Sequence, residues 1–202
     1  MTQSQEFQQI EKGFMTYPGD AWKRTLFKAP IQLWRLGLGP IIGKVILLIT
    51  HTGRKTGLPR RTMVEYHKLD GAKYAPCAFG LKADWYKNIV ANPYVTIQSS
   101  DGVESVNAIR VTDDQELVAV YELFKRRDPL LLKWYLRSLD IQQDYADLLA
   151  KKDRIYWLRF DPTGQPTPPP LTQDLSWVWV PVGLAIIAIL WAKCKSENSK
   201  TG

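Results

Sequence analysis

With two cysteines and two histidines among 202 residues, the chain has little material for metal or disulfide chemistry. Cys77 and Cys194 lie in unlike contexts, so they form neither a disulfide framework nor a paired thiolate motif, and their scarcity fits a reducing compartment. His51 and His67 have no cysteine, histidine or aspartate companion at ligand spacing, so a metal site is unsupported. No serine stands in a nucleophile-elbow setting, which leaves an acyl-transfer triad without its nucleophile. The opening stretch MTQSQEFQQIEKGF lacks the apolar centre of a secretory signal. Acidic residues are also in deficit. The formal charge of +7, from 27 Lys and Arg against 20 Asp and Glu, favours an anionic partner without choosing between nucleic acid, an anionic surface and a phosphorylated cofactor.

What is present is organised around Lys44 to Leu69. An apolar, β-branched run, KVILLIT, enters the loop HTGRKTGLPRR, and a second strand-like run, TMVEYHKL, leaves it. This reads as a hairpin whose tip carries Arg54, Lys55, Arg60 and Arg61 together with Gly53, Gly57 and Pro59. Guanidinium and ammonium groups on a glycine-hinged turn can aim side-chain donors and backbone N–H groups at one anion. A nonspecific basic patch would not require so defined a backbone path, and no aromatic stacking platforms interleave with these cations as nucleic-acid binding would favour. The nearby GPIIGKV, Gly39 to Val45, fails as a nucleotide P-loop: it has one residue too few between its glycines, lacks the magnesium-binding Ser or Thr, and precedes a strand.

Taken in order, Asp20 to Leu38 reads as an amphipathic segment, packed on the core or covering a pocket or membrane, with Asp20 as its cap and Pro30 breaking it. After the hairpin, the turn at Asp70-Gly71 predicts a third strand over Lys73 to Ala78, giving a three-stranded meander. FGLKADWYKNIVANP holds a short helix capped by Asp84, and YVTIQS with VESVNAIRV forms a second hairpin at Asp101-Gly102. Thr112 and Gln115 suggest a capping box, Asp128-Pro129 opens another helix, and RIYWLRF is a closing strand. Tight turns between successive strands favour an α+β fold, a mainly antiparallel barrel with flanking helices, over a parallel doubly wound sheet. The expected organisation is an N-terminal basic segment over 1–40, a barrel over 41–161, a proline-rich solvated linker over 162–174, and a polar tail over 193–202. Between linker and tail, Leu175 to Ala192 is 18 residues without a charge, and it reads as a transmembrane helix of about 27 Å with Trp177, Trp179 and Trp191 near its ends. A membrane-anchored, single-pass protein with its barrel in the cytoplasm is the corresponding expectation.

Two motifs together, T-x-G-R-K-T-G-x-P-R at the hairpin and ADWYKNIVANPYVTI from Ala83 to Ile97, resemble the deazaflavin-dependent nitroreductase family, split β-barrel enzymes that use coenzyme F420. The likeness spans roughly Ile41 to Asp161. It implies that Thr50, Thr52, Gly53, Arg54, Lys55, Thr56, Gly57, Pro59 and Arg60 lie at the cofactor's anionic end. Ala78, Phe79, Gly80, Trp85, Tyr86 and Asn88 would then flank its ring. The family places a substrate-side tyrosine after the fifth strand, which suggests Tyr145 or Tyr135 as proton donor. The loop before Trp85-Tyr86 is CAFGLKAD, shorter and without the Gly-Gly pair of the nitroimidazole-activating pattern, so the resemblance does not carry nitroimidazole activation with it. The resulting expectation is a membrane-tethered F420H2-dependent reductase of a quinone, nitroaromatic or activated alkene. Its rivals are a noncatalytic F420-binding or storage module and a split barrel holding FMN or haem.

Overall fold

The computed structural model describes residues 31–198. Of the amphipathic segment expected from Asp20, residues 20–30 lie outside the described residues. A wide helical turn, Trp34–Leu38, leads into the short α1 (Gly39–Ile42). The hairpin follows: β1 (Ile46–Thr52) and β2 (Pro59–Glu65) pair antiparallel, from Ile46 opposite Glu65 to Thr52 opposite Pro59. Leu47, Leu48, Ile49 and Thr50 are all buried, as befits a central strand covered on both faces and unlike the alternation of a half-exposed one.

The run Thr62 to Leu69, expected as one strand, bends at Tyr66 into β2 and β3 (His67–Leu69). Tyr66 holds the bend: its hydroxyl donates to the Gly43 carbonyl at 2.8 Å and its N–H to that of Val45 at 3.2 Å. The bend replaces the expected meander, because β3 pairs with β4 (Ala72–Pro76), and β4 pairs with the last strand. Asp70 and Gly71 turn with φ of 50° and 84°, the left-handed pair that a two-residue hairpin demands.

Beyond α2 (Asp84–Ala91) come the paired strands β5 (Tyr94–Ser99) and β6 (Gly102–Arg110). Helices α3 (Asp114–Arg127), α4 (Pro129–Ser138) and α5 (Tyr145–Ala150) precede β7 (Trp157–Pro162). Asp113, rather than Thr112, caps α3 by accepting from the Glu116 N–H, and Asp128 caps α4 by accepting from the Leu131 N–H, both at 2.9 Å. The sheet order is β2-β1-β5-β6-β7-β4-β3, antiparallel throughout. Its two edges, β2 and β3, are one stretch of chain, so the Tyr66 bend closes the sheet into a barrel.

Alternation along β7 divides two cores. Leu158 and Phe160 face the barrel interior with Leu47, Ile49, Val95 and Ile97. Trp157 faces the helices, stacked on Phe124 with ring centroids 5.9 Å apart. The proline-rich stretch does not float as a linker: the Thr163 N–H donates to the Ser105 carbonyl at 3.0 Å, and Gln98 bonds Leu171 in both directions at 2.7 and 3.1 Å. It is a strap along β5 and β6.

The expected transmembrane helix is not supported. Among the described residues no helix is long and apolar enough to cross a membrane. The uncharged run is divided: the Leu175 N–H donates to the Arg35 carbonyl, Ser176–Val178 forms a 3-10 turn, and α6 (Trp179–Asn198) starts only at Trp179. Before Lys193 that leaves 14 helical residues, about 21 Å at 1.5 Å each against a hydrocarbon thickness of roughly 30 Å. Trp179, expected at a membrane interface, instead donates from its indole N–H to the Leu36 carbonyl at 2.6 Å, and Asp174 pairs with Arg35 at 2.8 Å.

Candidate functional site

The hairpin tip folds onto itself before it meets anything else. Gly53 N–H donates to the Leu58 carbonyl at 2.9 Å, and the N–H groups of Thr56 and Gly57 both donate to the Gly53 carbonyl. Gly57 needs its missing side chain, since its φ is +67°. Arg54 then ties the tip to α2. Its backbone N–H and one guanidinium N–H donate to Asn88 Oδ1 at 3.1 and 2.9 Å, and a second guanidinium nitrogen meets the Asp84 carboxylate at 2.9 Å. That hydrogen bond, with the nearby positive charge, holds Asp84 below the usual carboxylate range. Asn88 Nδ2 lies 3.3 Å from His51 Nδ1. Burial pushes the His51 imidazole down to about 4, so near neutral pH it is uncharged and accepts there. The two motifs, separate in sequence, are thus one hydrogen-bonded unit.

Between them opens a cavity of about 670 Å3. At its tip end Lys55, Arg60 and Arg61 have no side-chain hydrogen bond or ion pair among the described residues; the acid lining that end, Asp84, is paired with Arg54 and only near enough to Lys55 to feel its charge. Its wall is Pro76, Ala78, Phe79, Ala83 and Trp85. Gly80 shapes that wall from behind: its φ is +46°, and a Cβ there would come 2.6 Å from the Tyr156 ring. The far end is formed by Glu65 at the barrel seam and Leu131 in the first turn of α4. Beside it the titratable atoms of Glu65, His67 and Asp128 all lie within 4.8 Å of one another. Burial first, then the adjoining Asp128 carboxyl, pushes Glu65 up to about 7. Burial lowers His67.

The residues fit a group with an anionic end and a flat apolar body, which is the chemistry of a phosphorylated deazaflavin. The comparisons agree. The sequence model of the F420H(2)-dependent quinone reductase family matches residues 36–130, which contain both motifs and Glu65, His67 and Asp128. Over that stretch the chain is similar to the F420-dependent split-barrel reductases. It is an oxidoreductase whose cofactor is coenzyme F420. Similar solved structures include an F420-H2-dependent reductase, 21% identical over 58% of this chain and 95% of that one with a TM-score of 0.46. Another is HutZ, a haem storage protein from Vibrio cholerae, at 14% identity over 69% and 92% with a TM-score of 0.44. A haem-binding protein from Mycobacterium smegmatis matches at 17% over 62% and 49%, with a TM-score of 0.42.

Of the residues expected at the site, Gly53, Arg54, Lys55, Thr56, Arg60, Ala78, Phe79, Trp85 and Asn88 line the cavity. Thr50, Thr52, Gly57, Pro59, Gly80 and Tyr86 do not line it: Thr50 and Tyr86 are buried, and Gly57 and Gly80 set backbone turns at its border. Tyr135 and Tyr145 also lie off the cavity. The first is buried and its hydroxyl accepts from the Tyr156 N–H; the second is half exposed and donates to Glu122 at 2.6 Å. Sequence reasoning did not include His51, Met63, Glu65 or Leu131. Met63 and Glu65 could have been found by following β2 outward from the tip, since alternate residues of a strand share a face; Leu131 could not, because it arrives from α4.

Proposed function

We propose that this protein reduces a quinone-class acceptor with F420H2. The observation that carries this reading is the polarity of the cavity: unpaired cations at one end, an apolar wall in the middle, and a carboxyl at the far end, inside a family described by quinone reduction. Lys55, Arg60 and Arg61 would hold the phosphate and its acidic tail, with Arg54 serving to fix the tip against α2 rather than to meet the anion. Phe79, Trp85 and Ala78 would lie along the ring and keep water from it. The bound deazaflavin supplies hydride. The protein's own contribution is to orient that ring toward an acceptor held between the wall and the seam, a positioning effect of the kind that converts encounter into an intramolecular step.

The test is a titration of F420 fluorescence with purified full-length protein, followed by single-turnover oxidation of F420H2 by a short-chain benzoquinone. Micromolar binding and quinone-dependent oxidation are expected. Binding without turnover against quinones, but with turnover of a nitroaromatic or an activated alkene, would overturn the acceptor class.

A further inference from the structure

We propose that Glu65, paired with Asp128 at the barrel seam, is the proton donor to the reduced acceptor. This rests on the reading above for its acceptor. Glu65 is the last residue of β2 and lines the cavity at the end away from the cations. Its partner comes from another element: Asp128 caps α4, and its Oδ1 accepts from the N–H of Leu131, whose side chain lines the same end. The Tyr66 bend brings these together, since it turns the chain between Glu65 and His67 and sets both against the corner of α3 and α4.

Burial and the second carboxyl favour one proton between the two, while Arg127 at the end of α3 opposes them as the cation at this corner. Asp128 repels a second negative charge. His67, on β3, has its ring edge against Phe124 at 4.8 Å and its Nε2 buried with no hydrogen-bond partner, 4.0 Å from Glu65 Oε1. Burial lowers its pKa most, Asp128 opposes that and Arg127 adds to it, and the net shift is downward, away from the cation that would neutralise the carboxyls. Two carboxyls at short range cannot both ionise freely, and one holds a proton near neutral pH. The tyrosines considered as donors are committed elsewhere, to the Tyr156 N–H and to Glu122.

The step balances as follows. A quinone that took a hydride, two electrons and one proton, from the bound cofactor would become a hydroquinone monoanion, the cofactor's remaining N–H proton going to solvent. The Glu65 O–H bond breaks and its proton goes to the anionic oxygen. Glu65, left as carboxylate beside Asp128, takes a proton back from solvent. A donor whose pKa lies near working pH is efficient in both halves of that cycle.

Two readouts test this on the full chain. In ligand-free protein, 13C carboxyl resonances followed over pH 4–9 should show one group titrating near neutrality, lost in Glu65→Gln and also in Asp128→Asn, which retains the helix cap. No carboxyl titrating above about pH 6 would overturn the pairing regardless of whether F420 or quinone binds. In the loaded enzyme, Glu65→Gln should bind F420 within about twofold of the wild type, turn over at least tenfold more slowly at pH 7, and lose the alkaline fall of the pH–rate profile. Wild-type rates and profile in that variant would overturn the donor role even with the titration present. A wild-type protein that binds F420 and shows the titration but oxidises F420H2 with no quinone would defeat the acceptor reading instead.

Discussion

At one end of the cavity Lys55, Arg60 and Arg61 make no side-chain ion pair among the described residues, while at the other Glu65 and Asp128 crowd two carboxyls beside a histidine that burial keeps toward its neutral form. The same strand, β2, carries both ends. Arg61 and Glu65 are four residues apart on it, about 13 Å at 3.3 Å per residue. The cationic end is open to solvent and meets its charge only when an anion arrives. The acidic end is packed under a helix corner and resolves its charge internally, by keeping a proton. Cofactor anchoring and proton supply are therefore separable, and each can be perturbed without touching the other.

The largest effect should come from reversing charge at the open end. Lys55→Glu with Arg60→Glu should weaken F420 binding ~100-fold or more, since charge-assisted hydrogen bonds contribute roughly 1.5–3 kcal/mol each. A fluorescence titration showing less than threefold loss would move the anion away from the tip. Next, acid should destabilise the unit that joins the two motifs. His51 is neutral when folded, with a pKa held at about 4 against 6.5. Its contribution is therefore intact above pH 6.5 and lost as pH falls toward 4, a change of roughly 3 kcal/mol in urea unfolding. His51→Gln should remove that acid slope; an unchanged slope would assign it to other groups.

Asn88→Ala should cost about 2 kcal/mol, because it leaves the Arg54 N–H and His51 without partners in a part-buried site. F420 affinity should fall with it, as the tip loses its hold on α2. Equal affinity at full occupancy of the folded state would show that the tip is rigid without the tie. The smallest effect is the most direct contrast between the two ends. Raising sodium chloride from 50 to 500 mM should weaken F420 binding several-fold, while the near-neutral carboxyl titration moves little, because exposed charges are screened and a part-buried pair much less so. Matching salt dependence would mean that the two ends share one electrostatic environment.

Much of this was legible in residues. The hairpin tip reads directly, since a glycine at positive φ between cations has few uses other than shaping a turn. The Asp70-Gly71 and Asp101-Gly102 turns predicted antiparallel pairing, and the Asp128-Pro129 cap predicted the start of α4. The apolar C-terminal run misled for a physical reason. Hydropathy counts residues along the chain, whereas spanning requires them to share one helix, and a 3-10 turn docked on Arg35 and Leu36 divides this run. The proline-rich strap misled similarly: a segment with little apolar surface can still be held by backbone hydrogen bonds to a sheet.

By itself the sequence determined the antiparallel strand pairing and the cationic turn, because each depends on local spacing and on residues with narrow conformational or chemical uses; the two motifs were linked by their family resemblance. Tertiary structure alone decided that Arg54 is a tie rather than a free cation, that β2 and β3 close one barrel through Tyr66, and that Glu65 meets Asp128. Those outcomes depend on which groups from distant segments arrive within a few ångströms of one another. Glu65 and Asp128 are 63 positions apart in the chain; only the packed corner of α3 and α4 makes them neighbours, and burial there together with that closeness raises Glu65.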